Sequence, residues 1–226
     1  PLSSPRMLVP LFPLASVVHF PDTLLPLHIF EARYRRLVAD LLELPESERR
    51  IGMIFAALAP GGEEVELVEP GCAGRLIEHV PLADGRSNIV LAGEFRFRVD
   101  REIAHQPYRV AEVSALSERL PLVDHERISA CQQELLALTA AVVERSGDRS
   151  PIDLAELAGL GAEGRLAALA NRIAARLDVP PPRKQSLLAM PPLERAEEIA
   201  GILRSRVTVL DCLAPYRSPS ADPALN

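Results

Sequence analysis

Cysteines and histidines are the residues of this sequence best suited to catalysis or metal binding. Cys72, Cys131 and Cys212, with five histidines, could supply a nucleophile and its base or a set of metal ligands. However, no H-x-x-x-H, H-E-x-x-H or C-x-x-C spacing occurs. Lys184 and Ser186 could form a Ser–Lys pair, but residues two apart on a helix face different directions. We therefore predict no catalytic residue, no metal and no cofactor. A hydrolase that uses Cys72 and a histidine is an alternative.

Two nucleotide-binding motifs can be judged from their spacing. A P-loop requires G-x-x-x-x-G-K-[ST], whereas the only lysine, Lys184, follows three prolines and an arginine. The sequence therefore excludes a P-loop ATPase. Residues 159–164 match G-x-G-x-x-G, but that motif binds pyrophosphate only between a buried strand and a helix. A helical pattern precedes it here, so we predict a glycine loop between two helices.

Aromatic residues, prolines and an arginine near the N-terminus are the best candidates for recognition. Such side chains are enriched at protein interfaces, and prolines at strand ends keep the backbone rigid. We predict that this region, with a groove between two lobes, binds exposed or unfolded polypeptide segments, although core packing and edge protection would also explain many of these residues. The candidate protein-binding residues are Phe20, Pro21, His28, Phe30, Arg33 and Tyr34.

Charge and composition limit the other partners. The formal net charge is −6, which argues against nucleic acid as the main partner because nucleic-acid-binding domains are usually basic. The alternative to polypeptide binding is a small molecule or RNA held by Arg96 and Arg98. The sequence has no run of 18 apolar residues, so we predict no membrane association. The three cysteines are far apart and odd in number, which favours a reducing cytoplasm.

The elements that must position these residues change in character near residue 120. Before it, short apolar runs are separated by Pro and Gly, which predicts strands at 7–11, 24–29, 51–58, 64–68, 75–82, 87–91, 95–99 and 108–116. Asp84-Gly85 predicts a hairpin turn. Residues 31–44 have apolar positions at helical spacing and predict one helix. A β-rich, partly closed barrel is therefore expected over residues 1–119.

After that point the apolar spacing is helical throughout. It predicts a bundle over residues 120–214, in which Cys131 is a small core residue, followed by a disordered Pro- and Ser-rich tail at 215–226. The fold class is thus α+β. The helical stripes could also support a homodimer.

Several motifs in order along the chain resemble one family. They are LVPLFPLASVVHFPDTLLPLHIFEARYRRLV (8–38), GCAGRL (71–76), GEFRFRV (93–99) and LANRIAARL (169–177). Together they resemble the Lon-protease N-terminal, substrate-binding domain family, and in particular its stand-alone members. The resemblance implies a PUA-like pseudo-barrel followed by a helical bundle. It also implies polypeptide binding, with a separate protease or chaperone as a further partner. The ATPase domain and Ser–Lys peptidase domain of full Lon proteases are not found in this sequence.

Overall fold

The computed structural model describes residues 6–58, 65–104, 107–120, 125–146, 153–162 and 165–217. They form two compact units. The first contains the described residues up to Arg119 together with Leu177–Pro191, and the second contains those from Leu120 to Arg176 and from Pro192 onward. The first unit thus includes a helix that the sequence division at residue 120 placed with the other helices.

The described strands precede all of the described α-helices except one, which lies between the second and third strands. The strands are β1 (Arg6–Leu14), β2 (Leu24–Ile29), β3 (Arg50–Leu58), β4 (Val65–Pro81), β5 (Ser87–Ala104) and β6 (Arg109–Ala115). The helices are α1 (Ala32–Leu42), α2 (His125–Ser146), α3 (Leu154–Ala162), α4 (Leu166–Arg176), α5 (Pro181–Ala189) and α6 (Pro192–Arg217). A 3₁₀ turn lies at Glu46–Glu48. The α+β prediction is confirmed.

The six described strands form one mixed sheet in the order β2-β5-β4-β3-β1-β6. A further pairing of β5 with β6 joins five of them into a nearly closed ring. The β1–β3 pair is parallel and the others are antiparallel. Strand β2 lies outside the ring, and among the described strands it pairs only with β5. It is therefore an edge strand.

Strands β4 and β5 are longer than the sequence predicts, at 17 and 18 residues. The prediction divided each of them near its glycines. In the structure Gly74 and Gly93 are paired with each other inside the ladder, next to a shift in register. A side chain at Gly93 would overlap the carbonyl oxygen of Phe20. These glycines therefore permit a close crossing of the chain and a bend in the strand, and they do not end it.

Helix α1 covers the core of the first unit. As its spacing predicts, Tyr34, Leu37, Val38 and Leu41 form the buried face. The ring of Tyr34 stacks on Phe12 of β1, with the centroids 3.7 Å apart. The helix is thus anchored to the sheet within its first turn.

The hairpin predicted at Asp84-Gly85 is also present. Pro81 pairs with Ser87, and the N–H of Gly85 donates to the carbonyl of Leu82 over 3.0 Å. Of the two turn residues only Gly85 has a positive φ, at 79°.

The second unit consists of α2, α3, α4 and α6 packed together. Cys131 and Leu135 lie in its interior, as predicted. Gly159 and Gly161 belong to the last turns of α3, so the predicted glycine loop is wrong at these positions. Residues 163 and 164 of that motif lie outside the described residues. Helix α6 extends to Arg217, so residues 215–217 of the predicted disordered tail are helical. The rest of that tail, residues 218–226, lies outside the described residues.

His19 is buried in the loop that crosses β4 and β5. A side chain at Gly74 would lie 2.9 Å from His19 Cε1, so the imidazole rests against the backbone there. His19 Nε2 lies 3.3 Å from the carbonyl oxygen of Thr23, whereas its Nδ1 has no hydrogen-bond partner among the described residues. Burial lowers the pKa of His19 to about 4, since the charged ring would lose its hydration.

We expect this burial to make stability depend on pH. Between pH 6.5 and pH 4, His19 is protonated in the unfolded chain but neutral in the folded chain. The contribution of neutral His19 to the free energy of unfolding is therefore complete above pH 6.5 and is lost as the pH falls to 4. The loss through His19 should be about 3 kcal/mol. Urea denaturation at several pH values should show a flatter profile for His19→Gln than for the wild type. The exposed-site control His28→Gln should keep the wild-type profile, and equal profiles for all three proteins would contradict the assignment.

Candidate functional site

The six predicted protein-binding residues differ in their exposure. Phe20, Pro21 and Tyr34 are buried, whereas His28, Phe30 and Arg33 are exposed. Phe20 lies beneath the crossing at Gly93, and Tyr34 belongs to the buried stripe of α1. Only the exposed three can therefore touch a partner with much of their surface.

Strand β2 presents an apolar outer face, which we call the β2 face and define as Leu24, Pro26, His28 and Phe30. Alternate residues of β2 are exposed, and its other residues pack towards the core. Leu24 is 65% exposed and Phe30, one residue beyond the strand, is 61% exposed. The strict alternation in LLPLHIF could have identified Leu24, which the sequence analysis missed.

The neighbouring strands extend this face. Register places Asn88 of β5 beside His28, and Val80 of β4 beside Asn88. Val80 is also an exposed large apolar residue. Outward residues of three adjacent strands therefore share one surface, with exposed large apolar side chains on β2 and β4.

His28 orients the aromatic part of the β2 face. Its Nδ1 lies 2.7 Å from the side-chain oxygen of Asn88, so a neutral ring carries its proton on Nδ1. Its Nε2 lies 3.5 Å from a guanidinium nitrogen of Arg86. The imidazole stacks on Phe30 with 6.1 Å between the ring centroids. These contacts hold Phe30 in place although most of its surface is exposed.

The backbone edge of β2 is only partly available for pairing. The N–H of Gly93 donates to the carbonyl of Thr23 over 2.9 Å, which sets the alternation of the ladder with β5. The backbone groups of Leu24, Pro26 and His28 consequently point away from β5. Pro26 has no N–H, so a hydrogen-bonding strand cannot pair along the whole edge.

Arg96 and Arg98, the alternative ligand-binding pair, are not brought together at a surface. Arg98 is exposed, whereas Arg96 is 4% exposed. The guanidinium of Arg96 donates to the carbonyls of Leu188 (2.7 Å) and Met190 (2.9 Å), at the end of α5. It also donates to the carbonyl of Ser117 and to the carboxylate of Glu118. Most of its five N–H donors are therefore occupied within the first unit.

The cysteine proposed for hydrolase chemistry is also inaccessible. Cys72 is fully buried, and its sulfur lies 3.7 Å from the carbonyl oxygen of Ala73. Within the described ranges, no three His, Cys, Asp or Glu side chains are placed to hold a metal ion. None of the helices described is both long enough and apolar enough to cross a bilayer.

Comparison with known proteins places the chain in a family. The family model described as the ATP-dependent protease La (LON) substrate-binding domain matches residues 8–205. Because the match covers most of the sequence, this chain belongs to the Lon substrate-binding domain family, as its motifs predict.

Curated relatives agree with that assignment. Lon protease 2 of Syntrophobacter fumaroxidans is 31% identical over 197 residues, which are 83% of this chain and 23% of that protein. Lon protease of Anaeromyxobacter dehalogenans is 27% identical over 184 residues, which are 80% of this chain and 21% of that protein. The chain thus spans less than a quarter of the length of these relatives.

Two solved structures share the fold. The Lon N-terminal domain protein from Xanthomonas campestris has a TM-score of 0.57 and 23% identity, over 86% of this chain and 98% of that one. The N-terminal domain of the Mycobacterium avium complex Lon protease has a TM-score of 0.61 and 15% identity, over 89% and 98%.

The contacts of Arg96 lead to a stability prediction. Arg96→Leu should lower the free energy of unfolding by about 3 kcal/mol, because it leaves the end of α5 and the Glu118 carboxylate without their cation. Arg98→Leu, two residues further along the same strand, should change it by no more than about 0.5 kcal/mol. Urea denaturation followed by circular dichroism measures both. Equal effects of the two substitutions would show that Arg96 does not have the structural role described.

Proposed function

We propose that this chain is a non-catalytic module that binds extended, apolar segments of polypeptide on the β2 face. The observation that carries the proposal is the exposure of Leu24 and Phe30 on the outer side of an edge strand. The chain's family is described as substrate-binding, and its relatives are proteases, so a polypeptide is the substrate class that fits.

The chemistry of the β2 face suits an apolar chain. Large apolar side chains exposed together mark interaction sites more often than isolated ones do. Phe30 and Leu24 can each insert between the side chains of a partner, and the imidazole of His28 limits the motion of Phe30. A preoriented aromatic ring loses little conformational entropy on binding, so it is a favourable anchor.

Side chains should supply more of the affinity than backbone pairing. Pro26 interrupts the donors along the free edge of β2, so added-strand pairing is limited to short stretches on either side of it. A site that relies on apolar side chains discriminates poorly between sequences. That property fits a module whose clients share exposed apolar segments and little else.

We further propose that the module acts as an adaptor that delivers bound segments to a protease or chaperone. The relatives are Lon proteases, which links the family to proteolysis. The residues of this region contain no P-loop, so the role proposed for it is to bind the segment and not to unfold it with ATP.

Substitution of the β2 face should separate binding from stability. Leu24→Ser combined with Phe30→Ser should weaken binding of a labelled, unstructured apolar peptide about tenfold or more, because two anchors are lost. The peptide carries an amidated C-terminus, and fluorescence anisotropy at low and high salt measures its affinity. Binding should tolerate salt, since apolar contacts are not screened.

Leu8→Ser is a matched control, because Leu8 is 64% exposed on β1, outside the β2 face. It should leave the affinity unchanged. All three proteins should have nearly the same melting temperature, since these side chains are exposed. The site is wrong if the double variant binds like the wild type, or if Leu8→Ser weakens binding as much.

A further inference from the structure

A small cavity lies where the first turn of α1 meets the end of β1 and the start of β6. Its volume is about 80 Å³, and its walls are Leu11, Pro13, Arg33, Tyr34, Pro107, Tyr108 and Arg109. That space holds several water-sized groups, which suits a carboxylate and a few carbon atoms but not a nucleotide. We call it the Tyr34 cavity.

The hydroxyl of Tyr34 gives the first sign of a ligand. Tyr34 is only 5% exposed, and its ring is fixed by stacking on Phe12. Its hydroxyl makes no hydrogen bond with any described residue and is reached by solvent, so it can donate to a group that enters the cavity. Burial raises the pKa of Tyr34, so the hydroxyl remains a proton donor at neutral pH.

The two arginines of the Tyr34 cavity keep unused donors. Arg33 binds Glu31 through Nε and Nη2, at 2.9 and 2.8 Å, and its guanidinium carbon lies 4.6 Å from the centre of the Tyr34 ring. Among the described side chains Arg109 makes one long polar contact, 3.4 Å from Nη1 to Glu102. A guanidinium has five N–H donors, so several remain for a ligand on each arginine.

The hydroxyl of Tyr108, which also lines the cavity, already has a hydrogen-bond partner. Tyr108 donates to the carboxylate of Asp40 over 2.8 Å. The pKa of Tyr108 is raised to about 12, first by burial and then by this carboxylate, so it stays protonated. The unused side-chain groups at the Tyr34 cavity therefore belong to Arg33, Tyr34 and Arg109. All three can donate hydrogen bonds and two are cations, so they complement a small anion that accepts hydrogen bonds.

We propose that the Tyr34 cavity binds the C-terminal carboxylate of a polypeptide, an inference that rests on the proposed polypeptide-binding function. A carboxylate is planar and offers two oxygens, which guanidinium groups bind through paired hydrogen bonds. Leu11, Pro13 and Pro107 provide an apolar wall for the last side chain. Arg33 follows Phe30 of the β2 face by three residues, which span no more than about 11 Å, so one bound segment is long enough to reach both.

The test compares one labelled apolar peptide with a free C-terminal carboxylate and the same peptide as the C-terminal amide. Fluorescence anisotropy should show that the full chain binds the free acid about tenfold more tightly, the effect of charge-assisted hydrogen bonds. Tyr34→Phe keeps the stacked ring and removes the hydroxyl. Tyr34→Phe and Arg109→Gln should each reduce this preference about fivefold, with no change in affinity for the amide.

Arg101→Gln is the control, because Arg101 is exposed, pairs with Glu112 and does not line the cavity. This variant should keep the full preference for the free acid over the amide. Equal affinity for acid and amide overturns the carboxylate site and leaves the proposed function intact. Failure of both peptides to bind overturns both proposals. Loss of the preference in millimolar inorganic phosphate, or an equal loss in Arg101→Gln, indicates a general attraction for anions and overturns the assignment to a C-terminus.

Discussion

The first unit depends on the burial of one guanidinium. Arg96 of β5 binds the carbonyls of Leu188 and Met190, and this holds the end of α5 against the sheet. The side chain of Gln185 completes the attachment by donating to the carbonyls of Val68 and Pro70 on β4. Carbonyls at the C-terminal end of a helix are favourable partners for a cation, because the helix dipole places partial negative charge there. A segment remote in sequence thereby becomes part of the strand-rich unit. The same interaction removes Arg96 from the residues available to a ligand.

Local patterns predicted most of the first unit, and long-range packing accounts for what they missed. Alternating residues identified the strands, and the spacing of Leu37, Val38 and Leu41 identified the buried side of α1. The alternation of Arg96 with Phe95 and Phe97 is typical of a strand with one solvent-exposed face, and nothing local reveals that α5 covers Arg96. Glycines were interpreted as strand ends for a similar reason. Their role at the crossing with Phe20 depends on a neighbour about seventy residues away in the chain.

The candidate site shows the same division between local and distant information. Exposure of Phe30 follows from its place beside an edge strand, and burial of Tyr34 follows from the helical spacing of α1. Burial of Phe20 could not be predicted, because it requires the pairing of β4 with β5. The Tyr34 cavity was equally hidden, since Arg33 and Arg109 meet only after β1 pairs with β6. Recognition surfaces on one element are thus accessible to sequence reasoning, whereas cavities formed by several elements are not.

An edge strand with exposed apolar residues is prone to self-association, and Pro26 reduces that tendency. A long edge with every N–H free is a template for pairing with another copy of the chain. A proline at the centre of β2 interrupts that template but leaves Leu24 and Phe30 accessible. Binding through side chains is thereby separated from binding through the backbone. Apolar contact has no direction along a bound chain, so a module of this kind needs a polar feature to fix orientation. The donors of Arg33, Tyr34 and Arg109 would fix it by holding one end of the bound segment.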